Sequence, residues 1–297
     1  MIIWDLFGGG QNSVYHTAKE HKLDATVYTF DITKMQHAHQ VELDLSRDDI
    51  IEQLKAYPQP DIIVASPLCQ SFSKALAVKG GTVGWKVNKD NSISLRTLDE
   101  IEFAKSNNKY MIHWKSDVML ARAQLGKKCL DNTLAIIDFF KPKYWYIENP
   151  RLSLMWNYTK FNKDIEYFYN YADYSAYGFL AQKPTCFLSN IKLELNTGGW
   201  MKASREIING VKYLVFPNGQ KVKWVNNRWH MIKMLNESCM SFIQQNEKQE
   251  VGDKSSKQLK EAEATSAIPH DLIWDILSQF TSNSKKWYYI NKELKYL

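Results

Sequence analysis

The sequence has 297 residues and a formal net charge of +6, and 44% of its residues are hydrophobic while 24% are charged. These fractions are typical of a globular protein and exclude a disordered, collagen-like or coiled-coil chain. No apolar run approaches the roughly 20 residues that a membrane helix needs, and the first residues lack the basic region of a signal peptide. We therefore expect no membrane span and no leader.

Predicted strands and helices alternate over the first 150 residues. Strand patterns cover residues 2–7, 25–32, 41–45, 61–66 and 144–147. Helix patterns cover 13–23, a segment from an N-cap at Ser46 to about residue 57, and 116–140. This alternation predicts an α/β fold with a mostly parallel sheet.

The pattern changes after residue 190. Asn-Gly turn signals at Asn209 and Asn218 predict β-hairpins within 207–225, the polar segment 246–263 predicts a mobile loop or linker, and 268–280 predicts an amphipathic helix. We therefore divide the chain into an α/β domain over 1–189, a small β-rich region over 190–257, and a return to the first domain over 258–297.

The four cysteines stand apart, at positions 69, 129, 186 and 239. This spacing fits neither a zinc site nor a disulfide framework, so we expect no metal and a reducing, cytoplasmic location. Apolar surroundings predict core positions for Cys129, Cys186 and Cys239. Cys69 instead follows the most hydrophobic strand in a Pro-bounded turn, which favours a nucleophile over an ordinary loop cysteine.

Acidic residues end three of the predicted strands or stand close to their ends. Asp5 precedes the glycine run 8–10, and Asp31 ends the next strand, where a carboxylate can accept hydrogen bonds from a ribose diol. The run does not match GxGxxG, which favours a nucleoside ligand smaller than a dinucleotide, although a tight turn without ligand has the same pattern. Glu148 follows a buried strand and is either a functional acid or an N-cap for a helix after Pro150.

Three segments in this order, DLFGGG (5–10), SPLCQSFS (66–73) and IENP (147–150), resemble signature blocks of DNA (cytosine-5) methyltransferases, in particular their small phage-like branch. Two weaker matches follow, YGF with QKPT (177–179 and 182–185) and SAIP (266–269). The resemblance spans residues 2 to 280.

The resemblance implies a Rossmann-like S-adenosylmethionine-dependent methyltransferase sheet with a small β-rich target-recognition insertion. It implies that Cys69 attacks C6 of a cytosine flipped out of double-stranded DNA, that Glu148 holds N3 and the exocyclic amine, and that Lys183 with Thr185 contacts O2. S-adenosylmethionine would be the cofactor. The residues implied to bind it are Asp5, Phe7, Gly8, Gly9, Gly10, Asp31, Ile32, Asp44, Pro67 and Ser266.

The sequence departs from the family pattern at three places. Leu68 stands before the cysteine where the family has proline, the arginine pair of the eighth block is missing, and Thr265-Ser266 replaces Gly-Asn. The segment 74–118 is long for a catalytic loop and rich in lysine, so it is either a basic flap that closes over DNA phosphates or a solvated insertion. Basic and aromatic residues alternate within 190–245, in the place of the target-recognition region.

The sequence therefore predicts a monomeric DNA cytosine-5 methyltransferase, either solitary or part of the modification of phage or mobile DNA against restriction. Two alternatives stay open. A tRNA cytosine-5 methyltransferase uses the same motifs, and a non-catalytic DNA-binding descendant would account for the three departures.

Overall fold

A computed structural model describes residues 1–9, 11–33, 37–74, 77–106, 114–158, 166–179, 182–198, 204–215, 221–224 and 267–281. Gly10, Ser266, Cys239 and the predicted linker 246–263 lie outside these ranges. Within them no helix has the length and apolar character required to span a bilayer, and no three His, Cys, Asp or Glu side chains are grouped so that they could hold a metal ion.

The order of elements confirms the alternation predicted for the first half of the chain. The helices are α1 (Ser13–Glu20), α2 (Ile50–Leu54), α3 (Leu98–Ser106), α4 (Ser116–Phe140) and α5 (His270–Phe280). The strands are β1 (Ile2–Leu6), β2 (Thr26–Asp31), β3 (Gln40–Glu42), β4 (Ile62–Ala65), β5 (Ala77–Val78), β6 (Gly81–Thr82), β7 (Trp85–Val87), β8 (Ile93–Leu95), β9 (Tyr144–Pro150), β10 (Phe168–Asp173), β11 (Pro184–Ser189), β12 (Ser204–Ile208), β13 (Val211–Val215) and β14 (Lys221–Lys223).

A seven-stranded sheet has the order β10-β11-β9-β4-β1-β2-β3. The run from β9 to β3 is parallel, and β11 pairs antiparallel with β9. The strand order reverses between β1 and β4, which makes the carboxyl ends of these strands the place where ligands bind in such sheets. The predicted class is thus confirmed: a mixed α/β, Rossmann-like sheet that is mostly parallel.

Burial explains why these segments became central strands. All four residues of β4 are buried, as a parallel strand covered on both faces requires. In β1, Trp4 is fully buried and its ring centroid lies 5.3 Å from that of Phe30 and 4.6 Å from that of Phe140, at the end of α4. The helix α4 therefore shares one hydrophobic core with the sheet.

The prediction that Ser46 caps a helix is wrong. The backbone N–H and the hydroxyl of Ser46 both donate to Asp44 Oδ1, at 2.9 and 2.7 Å, so this segment forms a side-chain-closed turn instead of a helical start. The helix α2 begins only at Ile50 and has five residues, with Asp49 at its N-cap position. A local hydrogen bond thus displaced the helix by one turn.

The insertion 77–106 is folded. Four short antiparallel strands, β5 to β8, are followed by α3, and Val83, Ile101 and Met119 form a small core between the insertion and α4. A Cβ at Gly84 would lie 2.7 Å from the Cβ of Ala123, so the insertion and α4 touch at a glycine.

Two lysines of the lysine-rich segment 74–118, which the flap hypothesis places against DNA phosphates, make hydrogen bonds within the protein. Lys105 is buried and its ammonium donates to Ser116 Oγ at 2.8 Å, while Lys86 donates to Glu100 at 2.8 Å. These two side chains stabilise the insertion. Lys109 lies outside the described residues.

A separate three-stranded antiparallel sheet, β12-β13-β14, confirms the predicted β-rich region. Its first turn is Asn209-Gly210, and both residues have positive φ, 50° and 77°, as a type I′ hairpin requires. The second turn signal, at 217–219, lies outside the described residues. The guanidinium of Arg205 lies 4.7 Å from the Trp224 ring centroid.

The contacts divide the chain into two compact units. The first comprises residues 1–9, 22–170 and 185–193, and holds most of the large sheet, α2 to α4 and the insertion. In the second, α1 packs with α5: His21 stacks on Trp274 at 4.2 Å, and Tyr177 donates its hydroxyl to Asp275 at 2.7 Å. The division at 189 and 257 remains a prediction.

Candidate active site

The glycine turn after β1 holds Asp31 at the end of β2. Phe7 and Gly9 have positive φ, 65° and 61°. The Gly9 N–H donates to Asp31 Oδ2 at 3.0 Å and the Thr33 N–H donates to Asp31 Oδ1 at 2.8 Å. Counting the described residues, each carboxylate oxygen thus takes one backbone hydrogen bond and keeps a further acceptor position. The arrangement fixes Asp31 while leaving it able to accept from a ligand.

Asp5 lies beneath the same turn. A Cβ at Gly8 would lie 2.5 Å from Asp5 Oδ2 and 2.5 Å from Thr29 Cγ2, so only glycine fits there. Asp5 is 4% exposed, and its Oδ2 is a buried oxygen without a hydrogen-bond partner in the described part of the protein. Burial, with a smaller contribution from Asp31, raises the pKa of Asp5 from 3.8 to about 8. A buried acceptor of this kind invites a cation or a hydrogen-bond donor.

We expect Asp5→Asn to change how stability depends on pH. Because the pKa of Asp5 is raised on folding, its ionisation opposes folding as the pH rises from about 4 to about 8, by about 1.4 kcal/mol per pH unit at most. The variant lacks this loss. The difference between its free energy of unfolding and that of the wild type should therefore increase from about pH 4 to about pH 8 and stay constant above that range. Urea unfolding of both proteins at a series of pH values measures the difference. Two parallel stability curves would contradict the assignment.

The remaining predicted cofactor residues have mixed environments. Ile32, directly after Asp31, is 69% exposed, which is unusual for a large apolar side chain and leaves its surface available for contact. Asp44 is exposed and uses one oxygen for the Ser46 turn. Gly10 and Ser266 lie outside the described residues.

The turn that carries the predicted nucleophile, Cys69–Phe72, follows β4 and is called the nucleophile turn below. Cys69 is partly exposed and opens a 3₁₀ turn, Cys69–Phe72, whose last residue is fully buried and stacks on Trp85 at 5.0 Å. The Trp85 indole donates to the Ser71 carbonyl at 2.9 Å, and the Ser71 hydroxyl donates to the Arg122 carbonyl at 2.8 Å. The insertion and α4 therefore both fix the turn that carries Cys69.

Two residues next to this turn, Gly126 of α4 and Leu68, are explained by its geometry. A Cβ at Gly126 of α4 would lie 2.2 Å from the Ser71 Cβ, so the turn sits directly on the helix backbone. Leu68, the residue that replaces the family's proline, has φ of −45°, within about 20° of the value that proline imposes. The loop therefore adopts a proline-like conformation without the ring.

The other described cysteines differ sharply from Cys69. Cys129 and Cys186 are buried, which confirms their predicted core positions. Burial raises the pKa of each thiol to about 12, so neither forms a thiolate near neutral pH.

A hydrogen bond joins Pro67, just before the nucleophile turn, to the Glu-Asn-Pro segment at 148–150. β4 and β9 are parallel neighbours, with Ala65 opposite Ile147, so the segments after both strands lie at one edge of the sheet. The Asn149 side-chain amide donates to the Pro67 carbonyl at 3.0 Å, and both Asn149 and Glu148 are buried. Asn149 was not among the predicted site residues, although it stands within the IENP motif.

Glu148 is not a helix cap. It lies within β9, paired with Phe187 of β11, and the turn Leu154–Asn157 is capped by Ser153, whose hydroxyl accepts from the Met155 N–H at 3.2 Å. A carboxyl that is 7% exposed in a central strand is costly unless it has a function or specific partners. Its place beside the Cys69 loop favours a function.

A cavity of about 700 Å³ opens beside Cys69. Its wall is built from the nucleophile turn, the insertion, α4, and the end of β9 at Pro150 with the residues that follow it. Most of the lining is apolar, and its two charged residues, Lys74 and Arg122, are both cationic. Residue spacing carries no signal for Arg122 or for the lining residue Trp114, because only tertiary contacts bring them to the same cavity as Cys69.

Lys183 lies in the second unit. Its ammonium is 4.3 Å from the Tyr174 ring centroid, and its backbone N–H donates to Asp173 Oδ1 at 3.2 Å. The predicted contact of Lys183 with the cytosine O2 stays a prediction.

Comparisons with known proteins gave a likeness to solved structures alone. No protein-family model matches the chain, and no curated protein matches it. Among solved structures, a mutant of DNMT2 from Spodoptera frugiperda is similar, with 15% sequence identity and a TM-score of 0.32. The match covers 67% of this chain and 55% of that one, so the chain spans about half the length of DNMT2.

Proposed function

We propose that this protein is an S-adenosylmethionine-dependent cytosine-5 methyltransferase that acts on double-stranded DNA. The observation that carries the proposal is the Asn149–Pro67 hydrogen bond, which ties the loop of Cys69 to the segment of Glu148 beside a cavity. Because β1 is the parallel neighbour of β4, the glycine turn with Asp5 leaves the same edge of the sheet. A nucleophile, an acid and a nucleoside-type site therefore share one edge.

The residues present fit the proposed cofactor. Asp31 keeps acceptor positions for ribose hydroxyls, the exposed Ile32 offers apolar surface to an adenine ring, and the second oxygen of Asp44 can accept from the adenine amine. The unpartnered Asp5 oxygen suits the ammonium group of a methionine moiety. When bound, S-adenosylmethionine would supply the electrophilic methyl group.

The chain's own residues would act on the base. Cytosine is first extruded from the stack, since its C5 and C6 are otherwise out of reach. The Cys69 thiolate then adds to C6, and the electron pair displaced into the ring is stabilised by Glu148, which shares its proton with N3. After C5 has been methylated, water takes the C5 proton, and the electron pair of the broken C5–H bond forms the C5=C6 double bond and expels the thiolate. Glu148 recovers its proton from N3.

DNA contacts are proposed for the small sheet β12-β13-β14. Its described strands carry Arg205, Lys212, Lys221 and Lys223, with Trp224 directly after β14. Cations position a protein on phosphates, and aromatic and polar side chains read bases. We further propose that the protein is a monomer in the cytoplasm, and that it is either a solitary modification enzyme or one that protects phage or mobile DNA against restriction.

We expect Asp31→Ala to weaken S-adenosylmethionine binding by about 1–3 kcal/mol, the scale of a lost charged hydrogen bond. The carboxylate also anchors the Gly9 N–H, so the turn loses a partner at the same time. Calorimetric titration measures the change, with Asp44→Ala as a comparison at the opposite end of the adenosine. DNA affinity should stay the same, because Asp31 faces the cofactor. Unchanged cofactor affinity would remove Asp31 from the site.

One experiment tests the function against its alternatives. Methyl transfer from labelled S-adenosylmethionine is measured on duplex DNA and on tRNA, and bisulfite sequencing of DNA from expressing cells locates the product. Methylated cytosine in DNA supports the proposal. Transfer to tRNA alone would make the protein a tRNA methyltransferase, and DNA binding without transfer would make it a non-catalytic descendant.

A further inference from the structure

The cavity beside Cys69 is larger than one base requires. Its volume of about 700 Å³ lies within the roughly 300–1,000 Å³ that hold whole drug-sized ligands, so an extruded pyrimidine fills only part of it. Three large apolar residues of the lining keep much of their surface exposed, Trp114 at 40%, Leu125 at 44% and Leu152 at 69%, and we call the part of the cavity that they border its outer part. Large apolar surface concentrated in this way marks a binding site.

The charges of the lining indicate what the ligand carries. Lys74 and Arg122 are its charged members, and neither forms an ion pair within the part of the chain that the structure describes. The Lys127 and Lys128 ammoniums, about one and a half helical turns after Arg122 along α4, are by contrast paired with Asp131 and Asp48. Two uncompensated cations next to an exposed indole favour a ligand that combines an anion with an aromatic ring.

We propose that this outer part of the cavity binds the nucleotide next to the target cytosine on the same strand, an inference that rests on the function proposed above. An extruded cytosine stays covalently attached to its strand, so the flanking phosphate is brought to the cavity with it, and the neighbouring base follows by leaving the stack as well. Trp114 stacks on that base, and Arg122 with Lys74 holds the phosphate. The neighbour is thereby bound through its π-face and its charge.

The helix α4, which carries Arg122, is fixed relative to Cys69. The Arg122 carbonyl accepts from Ser71 of the nucleophile turn, and α4 touches that turn at Gly126 and the insertion at Gly84. The insertion 77–106 therefore acts as a rigid second wall of a substrate cleft. This gives it a role other than that of a basic flap.

The test uses the full chain and a short duplex that contains the site located by bisulfite sequencing. Copies of this duplex are made abasic on either side of the target cytosine. For the wild type, one of the two abasic duplexes should bind roughly 5- to 100-fold more weakly, the range of a lost base–aromatic stack. Trp114→Ala should bind the intact duplex as weakly as the wild type binds that abasic duplex, and the abasic duplex should bind the variant no more weakly than the intact one. Trp114→Phe should still bind the intact duplex more tightly than the abasic one.

The phosphate contact is tested through salt. Arg122→Gln and Lys74→Gln should each reduce the slope of log affinity against log salt by about 0.7–0.9. Two variants on the same helix, outside the cavity lining, are the controls. Lys128→Gln should leave the salt slope unchanged. Phe139→Ala should leave unchanged the difference in affinity between the intact and the abasic duplex.

The outcomes separate the two proposals. A wild type that methylates DNA but binds all three duplexes equally overturns the second-nucleotide site alone. The same follows if Trp114→Ala weakens binding of intact and abasic duplexes by the same factor, because Trp114 would then act only on the shape of the cavity. A wild type that methylates no nucleic acid overturns both proposals.

Discussion

Cys69→Ser is expected to abolish methyl transfer and leave the fold intact. A hydroxyl is a far poorer nucleophile than a thiolate, and serine is close to cysteine in size at this partly exposed position, while the turn reaches the buried core through Phe72. Turnover on duplex DNA is measured together with the melting temperature. The loss should exceed about 10³-fold, while the melting temperature stays near that of the wild type.

The matched control is Cys129→Ala. Cys129 is buried in α4 with a pKa raised to about 12, so it cannot act as a nucleophile near neutral pH. This variant should lose some stability and keep its turnover. In target DNA that carries 5-fluorocytosine, the wild type should form a covalent adduct through Cys69. Retained turnover in Cys69→Ser, or active enzyme without an adduct, would remove Cys69 from the mechanism.

Glu148→Gln is expected to lower turnover by roughly 10²-fold or more, a typical general-acid contribution. Glutamine keeps the size of the side chain and can donate a hydrogen bond, but it cannot transfer a proton to N3. Binding of DNA and of cofactor should stay close to that of the wild type. A change confined to turnover would show that the proton, and not the shape, is what the site needs.

The same variant distinguishes a catalytic from a structural role. If Glu148 only stabilises β9, the substitution lowers the melting temperature and leaves the rate per folded molecule unchanged. Glu102→Gln provides the comparison, because Glu102 accepts hydrogen bonds from Ser116 and Lys105 within the insertion and has no place in the reaction. That variant should lose stability and keep its rate. A normal rate with a lowered melting point for Glu148→Gln would refute the catalytic role.

Local sequence determined the large elements. β4 is a continuous apolar run, α4 is a long amphipathic segment, and Asn209-Gly210 is a turn that only one hairpin geometry satisfies, so each is specified by residues close in the chain. The same holds for Cys69, which follows β4, and for Glu148, which lies near the carboxyl end of β9. The carboxyl ends of parallel strands meet at one edge, so the alternation of elements already implied that these residues come together.

Only the tertiary structure decided the walls of the site. The Asn149–Pro67 hydrogen bond joins residues 82 positions apart, and the contact of Gly126 with Ser71 depends on how α4 lies across the nucleophile turn. No periodicity in the sequence encodes such contacts. The Ser46 prediction was wrong because a short-range hydrogen bond to Asp44 competes with helix initiation. The sequence by itself thus predicted which residues carry the chemistry of the site, while long-range packing decided the shape of the site, since a cavity exists only where separate elements meet.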